Sequence, residues 1–348
     1  MTTEGEYHSN FAEARRLWGG ALGRRADARG GAGAGQQHAF DRIDWYEALH
    51  GACLADAAPL IAHAGDGAGD LWLFLAARDG RVSALSNYYS FAWRPVWRGP
   101  VRAELADVLA RGLKSRAAML ELGPLPEEDG SAALIADALR RAEWVVDVAA
   151  TGANHWLDTR GRSFAEWWAA RPGALRSTVQ RKAKKGVVTL SIHEDFSDAL
   201  WDDYEAVYNA SWKPPESYPD FIRAWAKREA AQGTLRLGIA RIDGVAVAAQ
   251  FWMIDDGVAC INKLAHVAGH DALSPGTLLT HALFERAFDV ERVSRIDFGT
   301  GDDGYKRDWM EESAPLMTVR AWDPKQVKAW PSLAKMLAKR VAARVLPR

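Results

Sequence analysis

Arg295–Trp309, RIDFGTGDDGYKRDW, sets three glycines, several acids and a Tyr-Lys pair directly after an apolar run. Its D-F-G triplet matches the metal-binding triplet of protein kinases, but the glycine-rich loop, lysine strand and H-R-D that work with it are missing upstream. Gly299, Gly301 and Gly304 also fit G-x-G-x-x-G, with Asp323 near where a ribose-binding acid belongs. Against that reading, Asp302 and Asp303 would face the pyrophosphate and Pro315 would interrupt the required helix. What remains is a fixed loop at the carboxyl end of a strand, aiming Tyr305 and Lys306 into a crevice. A tyrosine hydroxyl there can donate to a departing thiolate, and a lysine can balance developing negative charge or a phosphate. A capped turn with a packed Tyr and a snorkelling Lys fits the same residues.

Ser274–Leu279, SPGTLL, reads as a helix start. Ser274 can cap, Pro275 suits the first turn, and the amides of Gly276 and Thr277 lie where the helix dipole favours an anion. The elements around these residues can be read too. Thr234–Ile242, Val245–Ile254 and Val258–His266 are strand signals joined by Asp243-Gly244 and Asp256-Gly257, which predicts an antiparallel meander. The helix TLLTHALFERAFD and a strand at Val293–Phe298 follow, so the last strand can lie parallel to the third. LFLAARDGRVSAL and LGIARIDGVAVAA, around Asp79 and Asp243, repeat strand, Asp-Gly, strand a domain length apart. The first copy continues with a helix from Ala103 to Lys114, the strand AAMLELG, a helix from Ser131 to Arg141, then WVVDVAA and NHWLDT.

Composition bounds the rest. With 348 residues and 48% hydrophobic content the chain can bury two ordinary cores, and a net charge of −1 confines any basic site to a local patch. Cys53 and Cys260, the only cysteines, exclude a disulfide framework or four-cysteine zinc site and fit a reducing cytoplasm. The N-terminus MTTEGEYHSN lacks a signal pattern, and no run approaches the ~18 apolar residues of a membrane span. Sixteen tryptophans are read first as core.

Three antiparallel strands, a helix opening at a tight turn and a parallel strand resemble the GCN5-related N-acetyltransferase (GNAT) fold. There the acyl-CoA pyrophosphate rests on the helix start. SWK (Ser211–Lys213), SPG with LL, and DFGTGDDGYKRDW further resemble the CelD/BcsL-type acyltransferases linked to polysaccharide synthesis, distantly related to the Fem-type aminoacyltransferases. The resemblance covers about residues 160–322 and implies an α/β (α+β) chain of two tandem GNAT-like domains, each a mixed, mostly antiparallel sheet flanked by helices. It departs from the pattern at the pyrophosphate loop, reduced here to Gly269 and the Ser-Pro-Gly turn, so CoA binding rests on position. Strand alternation puts Asn262, Leu264 and His266 on one face of the third strand and Ile261, Lys263 and Ala265 on the other. On this resemblance a thioester carbonyl along that strand would receive backbone N–H bonds. His266 would be the base, oriented by Asn262, Lys263 and Gln250, with Trp212, Lys213 and Asp297 lining the substrate cleft. His266 and His270 lack a third ligand, and no metal is expected.

Two basic segments complete the reading. Arg171, Arg176, Arg181, Lys182, Lys184 and Lys185 form an acid-free run suited to the CoA adenosine phosphate, an anionic acceptor or a tRNA end, or simply to a solvated linker helix. After Asp323 come seven basic residues and no acid, with Leu333, Met336, Leu337, Val341 and Val345 forming an apolar stripe for an anionic membrane or for the domain itself. The expected layout is a flexible leader at 1–39, a degenerate GNAT-like domain at 40–160, a basic linker helix at 161–186, an acyltransferase domain at 187–323 and a basic amphipathic helix at 324–348. The expected activity is transfer from acetyl-CoA or a longer acyl-CoA to an amine of a cell-envelope glycan or lipid precursor, in the cytoplasm or peripherally on the inner membrane face. No DNA partner is expected. A tRNA-dependent aminoacyl transferase and a binding module that lost the chemistry are the alternatives.

Overall fold

A computed structural model describes residues 4–17, 39–301 and 303–345. The Gly/Ala/Arg-rich stretch 19–37 and Asp302 lie outside the described residues. The chain forms two compact units, one built mainly from Phe40–Gly152 with Ala314–Arg348, the other from Ala153–Ser313.

The first unit contains β1 (Glu6–His8), α1 (Phe11–Leu17), α2 (Ile43–Cys53), β2 (Ala58–Gly65), β3 (Asp70–Arg78), β4 (Arg81–Ala84), β5 (Val96–Arg98), α3 (Ala103–Gly112), β6 (Met119–Pro126), α4 (Ser131–Arg141) and the beginning of β7 (Val145–Asp158). Folded structure was expected to begin near Phe40, yet β1 pairs with Ile61–His63 of β2 and Phe11 and Ala14 are buried. Elements this short carry too few apolar residues to show a period. WVVDVAA and NHWLDT, read as separate, are one 14-residue strand, β7.

The second unit takes the end of β7, then α5 (Phe164–Ala169), α6 (Gly173–Ala183), β8 (Thr189–His193), α7 (Asp198–Asn209), α8 (Pro219–Ala231), β9 (Leu235–Ile242), β10 (Val245–Asp255), β11 (Val258–His266), α9 (Pro275–Asp289), β12 (Arg295–Thr300) and α10 (Lys306–Trp309). Its strand order is β7-β12-β11-β10-β9-β8, antiparallel except that β11 and β12 run parallel, as the meander-helix-strand pattern requires. Asp243-Gly244 and Asp256-Gly257 both take positive φ, the backbone of tight hairpin turns whose twist matches the strands. The expected linker helix at 161–186 is two helices, and α5 is fixed by a capping box between Ser163 and Glu166. The core below α9 is aromatic: Trp167 stacks on Phe284 at 5.0 Å, and Trp309 meets Phe284 at 5.0 Å.

β13 (Glu312–Trp322) and α11 (Trp330–Val345) return to the first unit, where β13 pairs antiparallel with β6. The second domain, expected to reach residue 323, therefore ends at Ser313. Tryptophan is mainly core, as expected: Trp45, Trp72, Trp93, Trp167, Trp201, Trp225 and Trp252 are fully buried.

Candidate active site

β11 and β12 pair only through Val258↔Arg295, Ala259↔Ile296 and Cys260↔Asp297. Beyond that point β11 runs on to His266 without β12, while β12 continues against β7 to Thr300↔Asn154. Both strands bulge where they part. On β11, Phe251 faces Lys263 and Trp252 faces Ile261, so Asn262 is the extra residue; β12 gains one between Asp297 and Thr300. A fork results, whose β11 edge has lost its ladder partner.

The Asn262 bulge corrects the expected faces. Ile261 joins Leu264 against the α9 core, and His266 lies beside Gly276, where a side-chain carbon at 276 would be 3.5 Å from Nδ1. Lys263 sits on the other side, with Glu216 at 2.8 Å and its ammonium 5.7 Å from the Tyr208 ring centre. One inserted residue resets a period of two.

The start of α9 is open. Ser274 does not cap it as expected: it takes a left-handed φ of 51° and its hydroxyl donates to the Asp271 carbonyl at 3.2 Å. The amides of Gly276 and Thr277 thus lack a side-chain cap at the positive end of a 15-residue helix. Gln250 anchors this turn rather than a substrate. Its Nε2 donates to Thr280 Oγ1 at 2.7 Å and to the Gly276 carbonyl at 3.3 Å, and its Oε1 accepts from Trp252 Nε1 at 2.9 Å. Around the turn stand His266, with Nε2 3.1 Å from Asp271 Oδ1 and its ring 4.5 Å from that of the exposed Trp212, and Lys182, which donates to the Ala272 carbonyl at 2.5 Å. Arg181 is the neighbour of Lys182 at the last turn of α6, and Gly269 (φ 93°) turns the intervening loop. Of the expected basic run, Arg171 is committed elsewhere: it is buried, lies over Trp167 and pairs with Glu311.

On the fork's other arm, Asp297 is buried and holds the loop. Its Oδ1 accepts from the Gly299 amide at 2.9 Å, and its Oδ2 accepts from Asn154 Nδ2 at 3.1 Å and Arg295 Nη2 at 3.3 Å. It was expected to touch substrate, but these bonds occupy both oxygens. Lys306 is likewise buried, donating to the carbonyls of Phe298 (3.3 Å), Gly299 (3.5 Å) and Thr300 (2.5 Å). It ties the loop end where a charge facing a phosphate was expected. Tyr305 is half-exposed, and burial, then the Asp303 carboxylate, push its hydroxyl up to about 12. A phenol that weak does not surrender its proton to a thiolate of ordinary thiol pKa near 8.5, but it remains a hydrogen-bond donor to one.

Lys213 is the most perturbed amine. Burial, then the charges of Lys263 and Lys306, lower it to about 8 against the opposing pull of Asp303 and Glu216. Its ammonium lies 6.0 Å from the Tyr208 ring centre and 5.9 Å from that of Trp212. Glu216, Asp303, Tyr208 and Asn154 were missed by sequence reasoning. Glu216 stands three residues after Lys213, a proximity that could have flagged it, whereas Asn154 reaches Asp297 across 143 residues.

Two hollows lie away from the fork, one of 540 Å³ lined by Thr159–Ser163, Phe288, Asp289 and Arg292–Ser294, and one of 630 Å³ in the first unit. Neither presents an uncapped helix start beside an open strand edge, the arrangement that binds anions and carbonyls.

Residues 173–307 match the family profile described as an acetyltransferase (GNAT) domain. No curated protein matches the chain. Among solved structures, FemX is similar at 10% identity and TM-score 0.62, covering 92% of this chain and 97% of its own. The C-terminal domain (DUF2156) of a protein described as a lysylphosphatidylglycerol synthetase, from Agrobacterium fabrum, is similar at 12% identity and TM-score 0.54, with 84% and 91% covered. A tandem GNAT protein from the clavulanic acid biosynthesis pathway is similar at 14% identity and TM-score 0.52, with 93% and 100% covered. The fold is that of tandem GNAT-like domains, and residues 173–307, which hold the fork, match the acetyltransferase domain of that type.

Proposed function

We propose that the chain transfers an acyl group from a CoA thioester to an amine on a cell-envelope sugar or lipid precursor, as the resemblance to CelD/BcsL-type acyltransferases implies. The observation that carries this reading is the fork: β11 loses β12 after Cys260, bulges at Asn262 and ends beside the uncapped α9 start. In this reading the diphosphate lies on the Gly276 and Thr277 amides, with His266 and Lys182 beside it, and Arg181 is close enough in sequence to join them. The pantetheine arm runs along β11, and the thioester oxygen accepts from backbone N–H freed at the bulge, a contact worth ~3 kcal/mol in the transition state.

The chemistry follows from the side chains present. The acceptor nitrogen attacks the thioester carbon and loses a proton, the tetrahedral intermediate collapses, the C–S bond breaks, and the sulfur leaves accepting a hydrogen bond from Tyr305. His266 was expected to take the proton. Its place beside Gly276 suits the phosphate side better, so we assign the proton to Lys213, whose ammonium is destabilised by burial and then by Lys263 and Lys306.

The same geometry suits a charged tRNA as donor. The near full-length likeness to FemX and the basic end of α6 favour that second reading. Differential scanning fluorimetry with CoA esters from acetyl to palmitoyl separates the readings. A ligand at a hundred times its Kd stabilises by about 2.7 kcal/mol, and the acyl-CoA reading predicts such a shift with at least one ester. No shift with any ester, together with RNase-sensitive transfer from aminoacyl-tRNA that falls steeply with salt, would replace it with the second. Acceptor binding without either donor would leave only a binding module.

A further inference from the structure

Helix α11 carries two apolar faces, and the first unit covers one. Leu333 and Met336 pack against Met119, Trp322 and Ala329; Ser332 Oγ accepts from Trp322 Nε1 at 2.9 Å. Arg340 donates to Asp147 Oδ1 and to the Val146 carbonyl, both at 3.0 Å. The other face is in solvent: Trp330 is 54%, Leu337 46% and Val341 61% exposed, with Val327 just ahead at 68%. On a helix of 3.6 residues per turn, Trp330, Ala334, Leu337 and Val341 fall within a stripe about 60° wide.

Charge chooses the occupant. Lys335 and Lys339 lie on the side of α11 opposite this stripe and Lys328 in the turn before it, all three exposed and without an ion-pair partner among the described residues. The acids near the helix are already engaged, Asp147 by Arg340, Glu143 by Lys325 and Asp323 by Lys114. Trp330 satisfies its indole N–H on the Pro324 carbonyl at 3.0 Å, so its exposed ring can enter an apolar layer without stranding a donor. No described helix is long and apolar enough to cross a membrane.

We infer that α11 lies in the plane of an anionic lipid surface, with Val327, Trp330, Leu337 and Val341 toward the acyl boundary and Lys328, Lys335 and Lys339 on its polar side, within a Debye length of the charged headgroups that attract them.

Co-sedimentation of the full chain with phosphatidylcholine vesicles, with and without phosphatidylglycerol, tests this. Binding should be at least about tenfold stronger to the anionic vesicles and should weaken with salt. The double variant L337E/V341E changes exposed positions only. It should keep the wild-type circular dichroism and melting temperature while losing vesicle binding about tenfold or more, and each Lys→Gln change should weaken binding about fivefold. Wild-type protein that ignores anionic vesicles, or an L337E/V341E variant that binds them as well as wild type, overturns the inference. So does light scattering that finds a wild-type dimer which the double variant converts to monomer.

Discussion

Lys213 bears the sharpest test among individual residues. If it takes the acceptor's proton, kcat/KM should climb as pH approaches about 8 and level off above, because the neutral amine is the reactive form. Lys213→Arg, which stays charged, should lower kcat about a hundredfold and abolish that rise, while His266→Gln should keep the rise and raise KM for the CoA ester. An unchanged profile in Lys213→Arg would place the base elsewhere. The lowered pKa also has a stability sign. Between about 8 and the ordinary 10.5 the unfolded chain holds a proton that the folded chain has released, so stability rises with pH across that window. Tyr305 and Lys306, adjacent in sequence, should separate in experiment. Tyr305→Phe should lower kcat about tenfold or more with little change in melting temperature. Lys306→Met strands three loop carbonyls and should cost about 1–3 kcal/mol as well as activity, measured by urea denaturation alongside turnover.

Among elements, the fork depends on a bulge and a wedge. Deleting Asn262 should leave Phe251↔Lys263 and Trp252↔Ile261 in register, so the sheet should survive while transfer drops about a hundredfold for want of the freed donor. Wild-type turnover in the deletion variant would mean that the bulge takes no part. Trp309 is the wedge that seats the Tyr305-Lys306 loop against Phe284 and Trp168. Its replacement by Ala should cost about 3–5 kcal/mol, read from thermal or urea unfolding. Strands β9, β10 and β11 and helix α9 were legible because Asp-Gly turns and helical spacing are local signals. The bulge was not: nothing in CINKLAH marks the residue that steps out of the ladder, and the alternation drawn through it therefore put Ile261 on the wrong face while holding for Lys263, Leu264 and His266.

For the whole molecule, the repeated Asp-Gly hairpin marks a repeated topology with unequal outcomes. In the first unit β4 and β6 also pair through three parallel rungs, Arg81↔Met119, Val82↔Leu120 and Ser83↔Glu121, before parting. There the chain fills its own gap: buried Trp93 donates its amide to the Pro124 carbonyl at 2.7 Å and its indole N–H to the Phe74 carbonyl at 2.8 Å. A CoA ester should therefore bind with a stoichiometry of one per chain. The return of β13 to the first unit could not be read from sequence, since its partner β6 lies about two hundred residues upstream and pairing at that distance leaves no local trace. The central claim is that the α9 start receives a diphosphate, and Gly276→Asp tests it most directly. An acid there favours the helix dipole, so folding should be unharmed, while its carboxylate would occupy the anion's place. Calorimetric titration of acetyl-CoA should find affinity lowered at least about thirtyfold, roughly 2 kcal/mol, at an unchanged or higher melting temperature. Wild-type affinity in that variant would contradict the account.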